Sequence, residues 1–368
     1  MKILHIHPSL EGGGIEAMIC GLANEMVKTE DVTVCSIFEP KETDVFYRQL
    51  APGVRRITCH KIRQGFSLKE LWLVWQIIRQ GKYDVVHLHG FLYYYLLAIL
   101  LSGRSRTRFV YTVHNDAFRE NGRWDTRLLG IKKWLFRKGI VRPVTISEIS
   151  KASFTALYHC ESRLVYNGIP RPKTDAFKRT DIIEAARRTK DTAVLLNAAR
   201  IDTQKNQLVL CKVAQRLVEE GEDIVLLLAG SVTNTVSYEE IVPYLSERIM
   251  YLGERNDIPQ LLSEVDAFCL PSRWEGLPVT LLEALAVGCI PICAPVGGIV
   301  NVLTDGRDGL LSASCSEEDY YQALKRFLVL SPEEHMVMRR EGMETFRRYE
   351  ISKTAREYLA FYRELLDE

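Results

Sequence analysis

The chain has 368 residues, of which 47% are hydrophobic and 26% charged, and its formal net charge is +1. This composition is typical of a folded globular protein and excludes a disordered or fibrous chain, while the length predicts two domains. The longest apolar run, Phe91 to Leu101, is too short to span a bilayer. The 9 cysteines are scattered without any Cys-x-x-Cys pair, which favours neither a zinc site nor a disulfide framework. We expect no secretory leader and a cytoplasmic protein.

The first half of the chain alternates short apolar strands with segments of helical periodicity. The predicted strands are Lys2–His7, Val32–Phe38, Arg56–Lys61, Asp84–His89, Phe109–His114, Pro143–Ile146 and Leu164–Tyr166. The predicted helices are Ile15–Lys28, Leu68–Arg79, Phe91–Leu101, Trp124–Lys138 and one that starts at Ser147. The turn-rich stretch Asn167–Pro172 then predicts a linker.

A second alternating series follows the linker. Its strands are predicted at Ala193–Ala199, Ile224–Ala229, Ile249–Leu252, Ala267–Leu270 and Ile290–Ala294, and its helices at Gln204–Glu219, Val279–Val287 and within Ser331–Glu368. Such alternation predicts an α/β fold with two parallel sheets covered on both faces. Ligands of such sheets bind beyond the carboxyl ends of the strands, so we expect the functional residues there.

Charge is divided unevenly between the two series. Residues 1–170 contain 24 Lys and Arg against 15 Asp and Glu, a net charge of +9, and the remaining residues have a net charge of −8. This asymmetry indicates two domains with different partners, of which the basic one faces an anionic partner. No recognition motif accompanies the basic charge, so we expect no nucleic acid as partner.

A glycine-rich segment, Gly12-Gly13-Gly14-Ile15-Glu16, follows the first predicted strand. Glycines let the backbone approach a ligand, and the N-terminus of the following helix favours a phosphate. Gly12, Gly14 and Ala17 also match the dinucleotide fingerprint, although the turn before Gly12 is longer than that fingerprint requires. The sequence therefore leaves three roles for this segment: a phosphate-binding loop, an NAD site or a plain turn.

Two basic residues lie where the second series begins. Arg200 follows a predicted apolar strand, and Lys205 is predicted to begin the next helix. A guanidinium fork and a point charge at the carboxyl end of a strand suit a diphosphate. The alternative to a diphosphate site is that both residues are solvated surface charges.

A pair of glutamates is the most specific pattern in the chain. Glu275 lies in a loop after a predicted strand, and Glu283 lies eight residues later, in the helix that follows. Two carboxylates could form a general acid/base pair, but carboxylates also accept hydrogen bonds from sugar and ribose hydroxyls. The Val279 and Thr280 amides are donors at a helix N-terminus. The alternative to a ligand site is that one glutamate caps the helix and the other lies on the surface.

Because of these motifs, the chain resembles a member of glycosyltransferase family 4, whose fold is called GT-B. The resemblance covers nearly the whole chain. The two glutamates, the basic pair and the glycine loop match that family in order and spacing. Further matching segments are Asp84–His89, Thr112–Asn115, Tyr166–Ile169 and Gly297–Gly298. The segments Lys205–Gln207 and Glu275–Pro278 are most similar to members that build exopolysaccharide, capsule or lipopolysaccharide.

The resemblance implies two facing Rossmann-like, doubly wound domains with the active site in the cleft between them. The first domain, 1–170, would be the acceptor side, and a C-terminal helix at about 350–368 would pack back on it. The second domain, 171–349, would bind the nucleotide-sugar donor.

The resemblance also implies a role for each motif residue. Arg200 and Lys205 would neutralise the leaving diphosphate, and Glu275 would hold hydroxyls of the transferred sugar. His114 would lie near that sugar, with a buried structural histidine as the alternative. The catalytic set is Arg200, Lys205, Glu275 and His114, and the donor-binding set is Gly13, Gly14, Gly276, Leu277, Val279, Thr280 and Glu283, the last of which would hold the ribose.

The implied activity is a retaining transfer of a hexose-type sugar from a nucleotide sugar, with UDP as the expected nucleotide, to a glycan or lipid-linked glycan in cell-surface polysaccharide synthesis. A front-face mechanism is the usual proposal for the family. No Asp-x-Asp sequence occurs, so we expect no metal and no cofactor. The alternatives are an NAD-dependent oxidoreductase or epimerase using Gly12–Ala17, and a non-catalytic subunit of a glycan-assembly complex.

Two positions depart from the family pattern. Pro278 stands where many members have glycine, which removes one backbone donor from the loop. Val300-Asn301 replaces a common Pro-Glu, so any role of a carboxylate there is lost.

A basic segment with interleaved aromatic and aliphatic residues runs from 119 to 142. It contains 8 basic and 2 acidic residues, and its apolar residues include Trp124 and Trp134. Such a helix is typical of a peripheral contact with an anionic membrane, here the inner face of the cytoplasmic membrane. A helix with a solvated basic face and a buried apolar face is the alternative.

Overall fold

A computed structural model describes residues 1–11, 13–41, 44–62, 67–90, 95–101, 106–114, 116–118, 128–175 and 180–368. Its contacts divide the chain into two compact units, which we call unit 1 (1–170 with 349–368) and unit 2 (171–348). Gly12, Asn115, residues 119–127 with Trp124, and the predicted helix start at Phe91 lie outside the described residues.

Unit 1 is built on a parallel sheet of seven strands in the order β3-β2-β1-β4-β5-β6-β7. The strands are β1 (Lys2–His7), β2 (Asp31–Phe38), β3 (Arg55–Lys61), β4 (Val85–His89), β5 (Arg108–Val113), β6 (Val141–Thr145) and β7 (Arg163–Leu164). The helices are α1 (Gly14–Met26), α2 (Val45–Gln49), α3 (Leu68–Gly81), α4 (Leu96–Leu101), α5 (Leu129–Arg137) and α6 (Glu148–Tyr158).

Successive side chains of a strand point to opposite faces of the sheet, and both faces of the central strands are buried. Ile3 and Val85 face a core that includes residues of α1, whereas Leu4 and Val86 face a core that includes residues of α3 to α6. The same alternation places His5 and His87 opposite each other in the register, on one face of the sheet.

The last helix of the chain, α15 (Ile351–Asp367), belongs to unit 1 and buries Tyr358 and Tyr362 completely. The predicted linker meets the residues before this helix, since the Ile169 amide donates to the Tyr349 carbonyl at 2.9 Å. Gly168 makes this approach possible, because a Cβ atom there would lie 2.8 Å from the Tyr349 carbonyl oxygen. The C-terminal helix is thus fastened to the first sheet.

Unit 2 repeats the arrangement with a parallel sheet in the order β10-β9-β8-β11-β12-β13. The strands are β8 (Ala193–Ala198), β9 (Ile224–Ala229), β10 (Ile249–Tyr251), β11 (Ala267–Leu270), β12 (Ile290–Cys293) and β13 (Leu310–Leu311). The helices are α7 (Asp181–Ala186), α8 (Gln207–Glu219), α9 (Thr235–Ile241), α10 (Ile258–Glu264), α11 (Val279–Val287), α12 (Ile299–Val302), α13 (Glu317–Leu328) and α14 (Pro332–Phe346). The prediction of two Rossmann-like α/β sheets is confirmed.

Several predicted element boundaries were wrong. The helix expected at Lys205 begins only at Gln207, because Asn206 adopts a left-handed conformation with φ of 59° that an α-helix cannot continue. The strand expected at Leu164–Tyr166 lies at Arg163–Leu164 instead. In the part of the chain that the structure describes, no helix combines the length and the apolar character needed to cross a membrane.

Candidate active site

Two loops meet in unit 2 at the carboxyl ends of β8 and β11, which are neighbours in the sheet. The Arg273 amide donates to the Gln204 carbonyl at 2.8 Å, and the Gln204 side chain donates to the Trp274 carbonyl at 2.9 Å. Asn206 adds a bond from its amide nitrogen to the Pro271 carbonyl at 3.1 Å. The loop that contains Lys205 is therefore held against the loop that contains Glu275.

Lys205 and Glu275 form an ion pair with 2.7 Å between Nζ and Oε1. The side chains are 14% and 5% exposed, so the pair is shielded from bulk water more than a surface pair would be. The Ser272 hydroxyl donates to the same carboxylate at 2.6 Å, and the Asp202 carboxylate accepts from the Lys205 amide at 3.0 Å. Each member of the pair is thus oriented by a second contact.

The Glu275 loop is also supported by Gly297 and Gly298. Gly297 has a φ of 56°, and a Cβ atom there would lie 1.7 Å from the Glu275 carbonyl oxygen. The Gly298 amide donates to the Gly276 carbonyl at 2.6 Å. A side chain at Gly297 would therefore displace the backbone that positions Glu275 and Gly276.

Arg200 differs from Lys205 in that its side chain is 57% exposed. Its guanidinium lies 3.5 Å from the Asp202 carboxylate, and its carbonyl accepts from Gln207 at 2.8 Å. The backbone of Arg200 is therefore held by α8 while the guanidinium remains accessible to an anion.

Glu283 lies on α11 and is only partly exposed. Burial raises the pKa of its carboxyl group to about 7, because the charged form loses hydration. Among the described residues, none donates a hydrogen bond to this carboxylate. Glu283 thus has unfilled acceptor capacity, about one helical turn beyond the Val279 amide at the helix N-terminus.

The glycine-rich segment of unit 1 is described from Gly13 onward. Gly13 precedes α1, whose first residue is Gly14, and the Gly13 carbonyl accepts from Ala17 at 3.0 Å. The N-terminus of a helix of 13 residues therefore follows the carboxyl end of β1, as a phosphate-binding loop would require.

Unit 1 has five buried histidines among its described residues, His7 on β1 included, and His114 after β5 belongs to a group of four whose rings contact one another. The others are His5 on β1 and His87 and His89 on β4. His89 Nδ1 lies 3.1 Å from His114 Nε2, and His89 Nε2 lies 3.2 Å from His5 Nδ1. Burial lowers the pKa of His5 and of His114 to about 3, so both rings are neutral near pH 7.

His87 connects this layer to the C-terminal helix. Its Nε2 lies 2.6 Å from the Thr112 hydroxyl and its Nδ1 lies 2.6 Å from the Tyr362 hydroxyl. One donor nitrogen each of His5, His87 and His89 lies within 4.8 Å of the others, an arrangement that could hold a metal ion. A metal would have to displace a hydrogen bond of His87, and so the observed contacts fit a hydrogen-bonded network better.

The basic segment 119–142 is described from residue 128. Helix α5 buries Leu135 and Phe136 against the sheet and exposes Ile131 and Trp134, with Trp134 47% exposed. The outward face of α5 therefore has apolar as well as basic side chains.

The structure brings Lys205 and Glu275 together, and it places Arg200 and the Gly276 backbone at the same pair of loops. Glu283 and the N-terminus of α11 follow on the next helix, while His114 and the Gly13–Gly14 loop belong to unit 1. Sequence reasoning missed Ser272 and Gln204 as contacts of Glu275. The short spacing of Ser272 to Glu275 was visible, but a serine in a turn is too common to indicate a contact.

Two family models match the chain. The model described as Glycosyltransferase Family 4 matches residues 12–171, and that of Glycosyl transferases group 1 matches residues 178–344. The chain is 28% identical over 281 residues to a UDP-Gal:alpha-D-GlcNAc-diphosphoundecaprenol alpha-1,3-galactosyltransferase of Escherichia coli, which covers 73% of this chain and 72% of the relative.

Solved structures match over almost the whole length. A glycosyltransferase of Rickettsia africae aligns with a TM-score of 0.83 at 18% identity, covering 99% of this chain and 98% of the other. HepE of Anabaena, solved in complex with UDP and glucose, aligns with a TM-score of 0.78 at 18% identity, covering 98% and 99%. These likenesses show the fold and confirm the expected GT-B class.

Proposed function

Because the chain belongs to the glycosyltransferases of family 4 and group 1, we propose that it transfers a hexose-type sugar from a UDP-sugar to a lipid-linked glycan with retention of anomeric configuration. The relative from Escherichia coli is named for UDP-Gal and a diphosphoundecaprenol acceptor, and HepE was solved with UDP. Both names support this choice of donor and acceptor class. Family membership leaves the NAD-dependent oxidoreductase without support.

The observation that carries the proposal is the arrangement of Arg200, Lys205 and Glu275 at one pair of loops. Bond cleavage at the donor builds negative charge on the outer phosphate of the nucleotide. The accessible Arg200 guanidinium can bind two phosphate oxygens, and Lys205 adds a point charge whose position Glu275 fixes at 2.7 Å. Preorganised cations of this kind stabilise a leaving diphosphate without a metal.

The remaining site residues suit the ribose, the phosphates and the sugar of the donor. Glu283 has unfilled acceptor capacity for the ribose, and the amides of Val279 and Thr280 at the start of α11 suit a phosphate. The Glu275 carboxylate and the Gly276 and Leu277 backbone would hold the sugar.

Retention is proposed through a front-face mechanism, as the family resemblance implies. The bond between the sugar C1 and the diphosphate breaks, and the acceptor oxygen forms its bond to C1 on the same face. The proton of the acceptor hydroxyl passes to an oxygen of the leaving phosphate. This chain's residues then have to bind and orient both substrates rather than supply a nucleophile.

We also propose that α5 lets unit 1 bind an anionic membrane surface, where a lipid-linked acceptor resides. The outward face of α5 exposes Ile131 and Trp134, and residues 1–170 have a net charge of +9. Vesicles with anionic lipid should bind the protein, and binding should weaken as salt shortens the Debye length to about 8 Å. Ile131→Ser/Trp134→Ser should bind less, and equal binding to neutral vesicles would contradict the proposal.

Transfer from a panel of radiolabelled nucleotide sugars to undecaprenyl-diphosphate-linked glycans tests the main proposal. Product should form with a UDP-hexose, and NMR of the product should show the anomeric configuration of the donor. Formation of an inverted product would contradict retention, and binding of donors without any transfer would favour the non-catalytic subunit.

A further inference from the structure

His7 is the last residue of β1, the strand at which the order of the unit 1 sheet reverses. From β1 the chain continues to β2 and β3 on one side, and it then returns to form β4 on the other side of β1. In open parallel sheets, ligands bind beyond the carboxyl ends of the strands at such a reversal. His7 therefore lies where the fold of unit 1 places a ligand.

A hydrogen bond of His7 determines which of its ring nitrogens has the proton. Nδ1 lies within hydrogen-bonding distance of the carbonyl oxygen of Ser9, two residues later. A carbonyl oxygen can only accept, so Nδ1 is the donor. Burial lowers the pKa of His7 below 6.5, so the ring is neutral near pH 7 and Nε2 has a lone pair.

Nε2 of His7 is an acceptor that the protein leaves open. Among the described residues, none forms a hydrogen bond with it, and it is not one of the buried side-chain atoms that lack a partner. An atom that is neither paired nor sealed from water must reach the surface, and His7 is accordingly 7% exposed. The four histidines whose rings contact one another differ, since they bond to one another or to Thr112 and Tyr362.

The surroundings of His7 favour a ligand group that donates a hydrogen bond. Glu16, in the first turn of α1, lies close enough for its carboxylate to raise the pKa of His7 against the effect of burial. Its Oε2 lies 2.6 Å from the position that a Cβ atom on Gly13 would take, so the carboxylate folds back over the loop that follows β1. A lone pair and a carboxylate both accept hydrogen bonds and offer none. A sugar hydroxyl, which can donate, matches this pair.

We propose that His7 is a substrate-binding residue whose Nε2 accepts a hydrogen bond from a hydroxyl group of the acceptor glycan, next to the hydroxyl that is glycosylated. The inference rests on the proposed function, because it assigns a glycan acceptor to unit 1. The reacting hydroxyl gives its proton to the leaving phosphate, so His7 orients the acceptor and does not serve as a base.

Two substitutions separate the binding of a glycan from the support of the loop. In His7→Asn, the amide nitrogen can still donate to Ser9, because it lies near the position of Nδ1, but the side chain does not extend to the position of Nε2. In His7→Gln, the amide oxygen can lie near the position of Nε2, but the bond to Ser9 is lost. His60→Asn is the matched control, since His60 is an exposed histidine of the same unit that pairs with Glu39 and has a φ of 53°, which asparagine tolerates.

Transfer kinetics and thermal unfolding of the full chain test the proposal, with a UDP-hexose and an undecaprenyl-diphosphate-linked glycan that the wild type uses. His7→Asn should raise the acceptor KM by about 3- to 10-fold, the value of one neutral hydrogen bond, while the donor KM and the melting temperature stay nearly unchanged. His7→Gln should recover the acceptor KM but melt at a lower temperature, and His60→Asn should match the wild type.

Three kinetic results would overturn the proposal. The first is an unchanged acceptor KM in His7→Asn, and the second is a rise in the donor KM instead. The third is an acceptor KM that simply follows the melting temperature across the variants, because His7 would then only support the loop.

Histidine-selective ¹⁵N NMR keeps this inference distinct from the proposed function. We expect the His7 signals, assigned from His7→Asn, to show a protonated Nδ1 and an unprotonated Nε2 whose shift moves when the glycan is added. A protonated Nε2, or an Nε2 shift that the glycan does not move, would refute the inference even if sugar is transferred. Absence of transfer by the wild type would instead contradict the proposed function, and the Nε2 shift would still decide whether His7 binds the glycan.

Discussion

The sheets of units 1 and 2 share the order of their first six strands but place opposite kinds of chemistry at the carboxyl ends of those strands. In unit 1, His5 on β1, His89 at the end of β4 and His114 just after β5 are neutral imidazoles, buried and hydrogen-bonded in sequence. In unit 2 the loops after β8 and β11 bear the Lys205–Glu275 ion pair and an exposed arginine. The topology determines where a site can lie, and local residues determine its charge.

This difference matches the difference in substrate that we propose for the two units. A leaving diphosphate needs positive charge that is present before the reaction, and unit 2 provides it. A hydroxyl-bearing sugar needs oriented donors and acceptors, which the neutral imidazoles of unit 1 provide without a net charge. The contrast leads to predictions that differ between the units.

Loss of the cations of unit 2 should have the largest effect. Arg200→Ala and Lys205→Ala should each lower kcat by about 10²–10³-fold, because one preorganised partner of the developing charge is lost. Arg200→Lys should not restore activity, since lysine lacks the fork. Transfer assays on the single and double variants check this, and the double variant should lose less than the product of the two. Folded variants with near wild-type transfer would remove both residues from the mechanism.

The two units should also respond to acid in opposite directions. His5 and His114 have a pKa of about 3 in the folded state and about 6.5 when unfolded. The unfolded state therefore binds protons first as the pH falls below 6.5, and unit 1 should lose about 1.4 kcal/mol per pH unit for each ring. Glu283 has a raised pKa of about 7, so unit 2 should instead gain stability as the pH falls from 7 towards the unfolded value of 4.5.

Hydrogen exchange at pH 7.0 and 5.5, corrected for the intrinsic rate, measures this contrast in β4 and β5 against β11 and α11. Glu283→Gln should abolish the gain in unit 2 and leave unit 1 unchanged. A loss of protection of equal size in both units would show that the buried groups do not decide the response.

A smaller effect is expected for nucleotide binding at Glu283. Glu283→Ala should weaken UDP binding by about 1–3 kcal/mol, the value of a hydrogen bond to a charged group. Because ribose hydroxyls favour the ionised carboxylate, wild-type affinity should rise with pH through 7. Calorimetry with Glu283→Gln as the control separates this rise from the titration of UDP itself. An unchanged affinity in a folded Glu283→Ala variant would exclude the ribose contact.

The smallest effect is expected from removal of metal. Unit 2 offers cations for the diphosphate, so transfer should be unchanged in EDTA. Complete loss with rescue by Mg²⁺ or Mn²⁺ would contradict this. Loss with rescue by Zn²⁺ alone would instead direct attention to the grouping of His5, His87 and His89.

Much of the fold was predictable because local periodicity decides it. Apolar strands that alternate with helical segments predicted both parallel sheets, and the turn residues of 167–172 marked the change from unit 1 to unit 2. The boundary at Lys205 was not predictable, since the left-handed conformation of Asn206 depends on its contacts with Pro271 and Cys315. Residue type alone permits that conformation without requiring it.

The sequence by itself determined which residue types stand at the ends of the strands, including the basic pair, the two glutamates and His114. Only the tertiary structure decided which of them meet. Lys205 and Glu275 are 70 residues apart and pair because β8 and β11 are neighbours, and His114 joins His89 because β4 and β5 are. Burial, too, is a property of the packed fold. It raises the pKa of Glu283 and lowers that of His114, because the low-dielectric interior penalises the charged form of either group.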